Sequence, residues 1–267
     1  MLTACSNAST AFSVKATKLG FKTSQIKGSQ FSHTLYKKKP EHKKDNDTQT
    51  KNTLHVYLGG DGTPWFNGRY ITDDPTTLNP VMLRLMKLDN ANAIYLGRPC
   101  YHQHRMPKNC HKALWTTERY SQQVIQSMVT ALKRYRHENE NKNKVTNLKL
   151  FGFSGGGTIA MLMAPHLKNV STVITLGANL DINAWTKHHA YLPLTGSLNP
   201  ATQAPLTAHI QQIHIAAALD KKVPYSIIRS VAQKQINAKF ILLKNADHNC
   251  CWGTIWPSLI NKSNSKI

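Results

Sequence analysis

Ser154 stands where two kinds of sequence meet, in LKLFGFSGGGTIAML, residues 149–163. Before it runs an apolar stretch suited to a buried strand, and after it a small-residue run suited to a helix. Glycines at 152, 155, 156 and 157 leave room for a sharp corner between the two. A side chain at the apex of such a corner projects above the sheet at a helix N-terminus, where backbone N–H groups and the dipole favour negative charge. A nucleophile attacking a carbonyl needs that setting. GFSGG (152–156) fits the G-x-S-x-G elbow, with a strand before it and a helix after.

A serine hydroxyl is a weak nucleophile at neutral pH and needs a base, and the base needs an acid to orient it. On elbow scaffolds the partners follow in the order Ser, Asp or Glu, His. LDKKVP (219–224) puts Asp220 just past one expected strand, and NADHNCCW (245–252) puts His248 just past the last. Both fall at C-terminal strand ends, the edge where open α/β sheets build their sites. Asp181, in GANLDINAW (177–185), is the rival acid, because it follows the strand next after that of Ser154. Asp247 adjoins His248 too closely to face its ring. The oxyanion of a tetrahedral intermediate needs two N–H donors. One is expected from Gly155, and the other from GGDGTPW (59–65), from Asp61 first and Gly60 next.

These residues need a sheet to hold them. Short apolar runs suit strands at 53–60, 91–97, 145–153, 170–178, 210–219 and 238–246. Helical stretches separate most of them. In 116–136, Tyr120, Val124, Met128 and Leu132 recur at helical spacing, with Ile125 and Val129 widening the stripe. DPTTLNPVMLRLMKL (74–88) reads as a turn leading into a helix. The alternation implies an α/β fold: a mainly parallel central sheet with helices on both faces. Residues 182–209 interrupt it with a long polar, Pro-containing stretch and form a candidate cap over Ser154. Residues 51–267 make one domain. Residues 1–50 read as a basic, partly irregular N-terminal segment with at most one strand, near 30–39. Trp65, Trp185 and Trp252 flank three site loops and are candidates for a pocket lining or for packing.

Hydrophobic residues make up 40% of the chain, enough to bury a sizeable core and to exclude global disorder. No apolar run reaches the roughly 18 residues of a membrane span. Lys and Arg number 34 against 13 Asp and Glu, a net charge of +21 that attracts polyanions such as an anionic membrane surface. Only YKKKPEHKK (36–44) concentrates the positives, and no nucleic-acid-binding motif accompanies them, so nucleic acid is not expected as a partner. Cys5 ends LTAC (2–5), a lipobox-like tetrapeptide that implies lipidation of Cys5 if Met1 lies inside a longer signal peptide. The chain would then belong to the bacterial cell envelope, periplasmic or lipid-anchored, and otherwise to the cytoplasm. Cys100, Cys110, Cys250 and Cys251 remain, with three pairings open and Cys100–Cys110 the simplest. Cys100, His102, His104, Cys110 and His111 cluster in sequence, but not at a familiar metal spacing, so no metal site is expected.

Taken together, VYLGGDGTPW, DPTTLNPVML, YLGRPCY, WTTERYSQQVIQSM, GFSGGGTIAMLMA, GANLDINAWT, LTGSLNP, LDKKVP and DHNCCW make the chain resemble the α/β-hydrolase superfamily. More narrowly it looks like a group of bacterial α/β hydrolases, often predicted lipoproteins, over about residues 53–257. The resemblance implies a cofactor-free Ser-His-Asp hydrolase, carried by Ser154, His248 and Asp220, and no settled substrate; carboxylic esters or related small-molecule or lipid-like acyl compounds are the substrates expected. One departure is Ala217, where many such proteins carry glycine three residues before the acid. A peptidase, thioesterase or acyltransferase could use the same residues, and a surface-anchored binding protein could keep the scaffold without turnover.

Overall fold

The computed structural model describes residues 7–38, 52–139 and 145–262. Cys5 and most of the basic run at 36–44 lie outside them. Ten strands and seven α-helices alternate along the described chain. Eight strands form one sheet in the order β1 (Phe21–Lys27), β2 (Ser32–Lys38), β6 (Asn92–Leu96), β3 (Thr53–Leu58), β7 (Asn147–Phe153), β8 (Val170–Leu176), β9 (Gln211–Ala217), β10 (Ala238–Leu243). From β6 to β10 every neighbouring pair is parallel, while β2 runs antiparallel to both β1 and β6. The remaining two strands, β4 (Trp65–Phe66) and β5 (Tyr70–Ile71), form a short antiparallel ribbon.

Strand alternation feeds two cores. Along β3, Leu54, Val56 and Leu58 face one side with helices α3 (Gln122–Glu138), α4 (Gly155–Met163) and α6 (Tyr225–Ala232). Tyr57 faces the other, against α1 (Ala8–Lys18), α2 (Val81–Lys87) and α7 (Trp252–Lys262). The expected mainly parallel sheet with helices on both faces is what the chain adopts. No helix among the described residues is long and apolar enough to cross a membrane.

The boundary expected at residue 50 does not separate the N-terminal segment from the sheet. Helix α1 buries Phe12 and Ala16 completely and is capped by the Asn7 side chain, which accepts from Thr10 N at 2.8 Å. Two strands follow instead of at most one. The additional one, β1, is an edge strand that buries only Phe21 and Ile26, so its polar sequence reads as irregular. Helix α3 also begins at Gln122 rather than 116, because residues 116–121 form turns that deliver Arg119 and Tyr120 to Asp61. Cys100 is joined to Cys110 by a disulfide, and the adjacent Cys250 and Cys251 are also joined.

Candidate active site

Strand β7 passes directly into α4 through Ser154, whose φ of 52° and ψ of −126° put a non-glycine residue in a region L-amino acids avoid. The corner holds that strain by close backbone contacts. A side chain at Gly152 would collide with the carbonyl of Gly156, and one at Gly156 with the carbonyl of Leu58. Ser154 N donates to Leu176 O at 2.9 Å, and Gly157 N donates to Ser154 O at 2.9 Å. The hydroxyl is thereby fixed above the sheet at the start of a buried helix.

His248 Nε2 lies 3.2 Å from Ser154 Oγ, and His248 Nδ1 lies 2.7 Å from Asp220 Oδ2. The Asp220 side chain is fully buried, and its other oxygen, Oδ1, accepts the amides of Lys222 and Val223 at 2.8 Å each. A carboxylate so placed accepts a hydrogen bond from the Nδ1–H of the imidazole, which keeps the proton on Nδ1 and leaves Nε2 as the acceptor facing the serine. Trp252 holds the histidine from behind, its indole donating to His248 O at 2.9 Å, and the Phe153 ring packs 4.9 Å from the imidazole. Trp252 is thus buried support rather than pocket lining. Gly177, with φ of 51°, makes room for the pair: an added side-chain carbon would sit 3.2 Å from Asp220 Oδ2 and 3.4 Å from His248 Nδ1.

Asp181 is not in this group. It caps helix α5 (Ile182–His188), its Oδ1 accepting from Asn183 N, Ala184 N and Asn199 Nδ2. Asp247 folds back on its own loop to accept from the amides of Asn249 and Cys250. The turn into Asp220 closes with Ala217 in place of glycine, Asp220 N reaching Ala217 O at 3.2 Å.

The loop after β3 runs alongside the nucleophile. A carbon added at Gly60 would lie 3.2 Å from Ser154 Cβ, and one at Gly155 would strike the Asp61 carboxylate. That carboxylate bonds Arg98 and Arg119, and Tyr120 Oη donates to it at 2.6 Å. Tyr101 Oη donates to Asp61 O at 2.9 Å. Burial alone would raise the Asp61 pKa, but Arg119, Arg98 and the Tyr120 hydroxyl outweigh it and hold the carboxyl down at about 2. The network clamps the backbone of 60–61 against Ser154. Replacing Asp61 with alanine leaves two buried guanidiniums without their counter-charge. Urea unfolding is expected to show a loss of about 3–5 kcal/mol.

A cavity of about 950 Å³ opens over Ser154 and His248. Trp65, Ile71, Leu78, Met82, Tyr191 and Leu192 give it mostly apolar walls. The segment expected as a cap supplies one wall. Trp185 Nε1 donates to Lys222 O at 2.7 Å and His189 Nε2 lies 2.9 Å from the same oxygen, tying α5 to the Asp220 loop. His102 lies away from the cavity, its ring buried 4.2 Å from that of Phe12. Among the described residues no group of three or more His, Cys, Asp or Glu could hold a metal ion.

No protein-family model matches the chain, and no curated protein matches it in sequence. Its likenesses are to solved structures. A candidate hydrolase from Agrobacterium vitis S4 is 14% identical with a TM-score of 0.62, over 92% of this chain and 99% of that one. A candidate lipase from Acinetobacter baumannii AYE is 13% identical with a TM-score of 0.62, over 98% of each chain. An esterase from Pyrococcus furiosus is 14% identical with a TM-score of 0.59, over 92% and 91%. Strand order, the elbow and these likenesses define one class: the chain has the α/β-hydrolase fold.

Proposed function

We propose that the protein is a serine hydrolase of carboxylic esters or related acyl compounds. The observation that carries this reading is the unbroken series Asp220 Oδ2–His248 Nδ1 at 2.7 Å and His248 Nε2–Ser154 Oγ at 3.2 Å. Ser154 Oγ attacks the acyl carbonyl while His248 Nε2 takes its proton, and Asp220 steadies the imidazolium that forms. The amides of Gly155 and of Asp61, with Gly60 as the alternative to Asp61, hold the oxyanion. His248 then protonates the leaving group, and the same base activates water to free the acyl-enzyme. Ester chemistry rather than a charged substrate is favoured by the apolar cavity walls, which suit an acyl chain.

A fluorophosphonate probe tests this directly. Folded protein is expected to label at Ser154, as read by peptide mass spectrometry, and His248→Ala is expected to slow labelling by more than about 100-fold. Native protein that stays unlabelled would favour the non-catalytic binding reading.

A further inference from the structure

We infer that Asn179 reads the substrate: its side-chain amide recognises a substrate group that both donates and accepts a hydrogen bond, a hydroxyl or a primary amide, near the carbonyl that Ser154 attacks. The inference rests on the serine-hydrolase reading and names the kind of substrate that reading leaves open.

Asn179 is 2% exposed, and among the described residues neither Oδ1 nor Nδ2 has a hydrogen-bond partner. Exchanging the two atoms changes nothing, since both are buried and unpaired. A buried amide left in this state is costly, and native interiors rarely tolerate it without a use. The local sequence does not require it. Ala178 and Leu180 on either side are fully buried and apolar, so an apolar residue at 179 would suit the packing as well.

Its position is fixed by the same element that carries the nucleophile. Thr158, in the first turns of α4, donates its hydroxyl to Asn179 O. A side chain at Gly157 would strike Ala178 Cβ. The backbone at 178–179 is therefore held against the helix that begins at Ser154, and Asn179 lines the same cavity as Ser154 and His248. The cavity's other strongly buried polar groups are already occupied. Arg119 bonds Asp61 and the carbonyl of Thr116, and His248 bonds Asp220 and Ser154. Asn179 is the amide in that wall with both its donor and its acceptor free. A ligand that satisfies both gains what an alkyl isostere cannot, because the isostere leaves the amide dry and unpaired.

Isosteric ester pairs test this from either side of the scissile bond. On the acyl side, 4-nitrophenyl 3-hydroxybutanoate is compared with the 3-methylbutanoate, and the 4-carbamoylbutanoate with the 5-methylhexanoate. On the alcohol side, 2-hydroxypropyl butanoate is compared with 2-methylpropyl butanoate. Wild-type enzyme is expected to prefer the polar member of at least one pair by about 10- to 100-fold in kcat/KM. Asn179→Leu and Asn179→Ala should both bring that ratio to within about twofold of unity. Asn179→Leu, close in shape, should also raise the melting temperature by about 2 °C or more, since it removes an unsatisfied amide.

No preference in any pair, or a preference that both variants keep, overturns the inference. A lower melting temperature for Asn179→Leu overturns it as well, because the amide would then have a structural partner. Absence of fluorophosphonate labelling at Ser154 removes the hydrolase reading itself, and the amide is then judged by the change in melting temperature alone.

Discussion

Replacing Ser154 with alanine is expected to lower kcat/KM on an activated ester by about 10⁴- to 10⁶-fold, while the protein stays folded. The size follows from the mechanism. Without the hydroxyl there is no acyl-enzyme, and water must attack unaided in a site that keeps only its oxyanion donors. The fold should hardly register the change, because the half-buried hydroxyl gives up a single 3.2 Å contact to His248. The backbone is the stressed part: φ of 52° at a residue with a Cβ stores strain that glycine would relieve. Ser154→Gly should therefore be as inactive as Ser154→Ala and more stable than it by about 1 kcal/mol in denaturant unfolding. Adding His248→Ala to Ser154→Ala should cost little more, since the pair acts as a unit. A single alanine variant that kept a tenth of its turnover would identify a different nucleophile.

The parts of this site that can be read from the sequence are those whose physics is local. A strand-to-helix corner needs small residues at fixed offsets, so Ser154 announces itself by Gly152, Gly155 and Gly156. Asp220 and His248 are legible because strands β9 and β10 are apolar runs with sharp ends, and acids and bases just beyond such ends reach the site. Preferring Asp220 to Asp181 is a matter of topology, and the structure places the rival elsewhere: its oxygen is engaged by the helix it caps. The clamp on Asp61 cannot be read in the same way. Arg98, Tyr101, Arg119 and Tyr120 come from two loops and meet only through the fold, and a buried arginine looks like any surface cation in a chain of net charge +21. The position of Arg98, two residues past the end of β6 at the same C-terminal edge, is the available signal. Strand β1 is hidden for another reason. An edge strand keeps polar residues on most of its surface, so hydrophobic pattern, the main guide elsewhere, is nearly silent there. Asn179 sits in view within GANLDINAW, but an asparagine after a strand is ordinary turn chemistry until its amide is seen to be buried and unpaired.

Stability is expected to fall steeply as pH drops from 6.5 towards 4, and three histidines outside the candidate site are the cause. His33, His102 and His214 are buried in the sheet and its flanks. Burial lowers the His33 pKa to about 4, partly opposed by the Gly97 carbonyl that its Nδ1 faces at 2.9 Å. Burial lowers His102 to about 3 among the rings of Phe12, Tyr36 and Tyr95, with Asp74 opposing weakly. Burial lowers His214 to about 4 beside Thr175. Each is neutral in the folded protein at pH values where the unfolded chain, titrating near 6.5, already holds a proton. The unfolded state therefore binds more protons in this window, and stability is full above pH 6.5 and drains as pH drops. A tenfold difference in proton affinity between the two states is worth about 1.4 kcal/mol, so each histidine contributes on the order of 3 kcal/mol that is gone by the time its folded pKa is reached. Against a total stability of about 5–15 kcal/mol, the roughly 9 kcal/mol that the three groups lose together by about pH 4 removes most of the stability of such a chain. The carboxylate of Asp61, held at about 2, acts later: its contribution is intact above about pH 4 and is lost only below it. Urea unfolding measured from pH 8 down to pH 4.5 should approach a slope of three protons, about 4 kcal/mol per pH unit. His102→Phe, which fits the aromatic cluster around it, should reduce that slope by one proton and move acid unfolding to lower pH. Stability that stayed level between pH 7 and pH 5 would mean that these three rings are not held neutral by the fold.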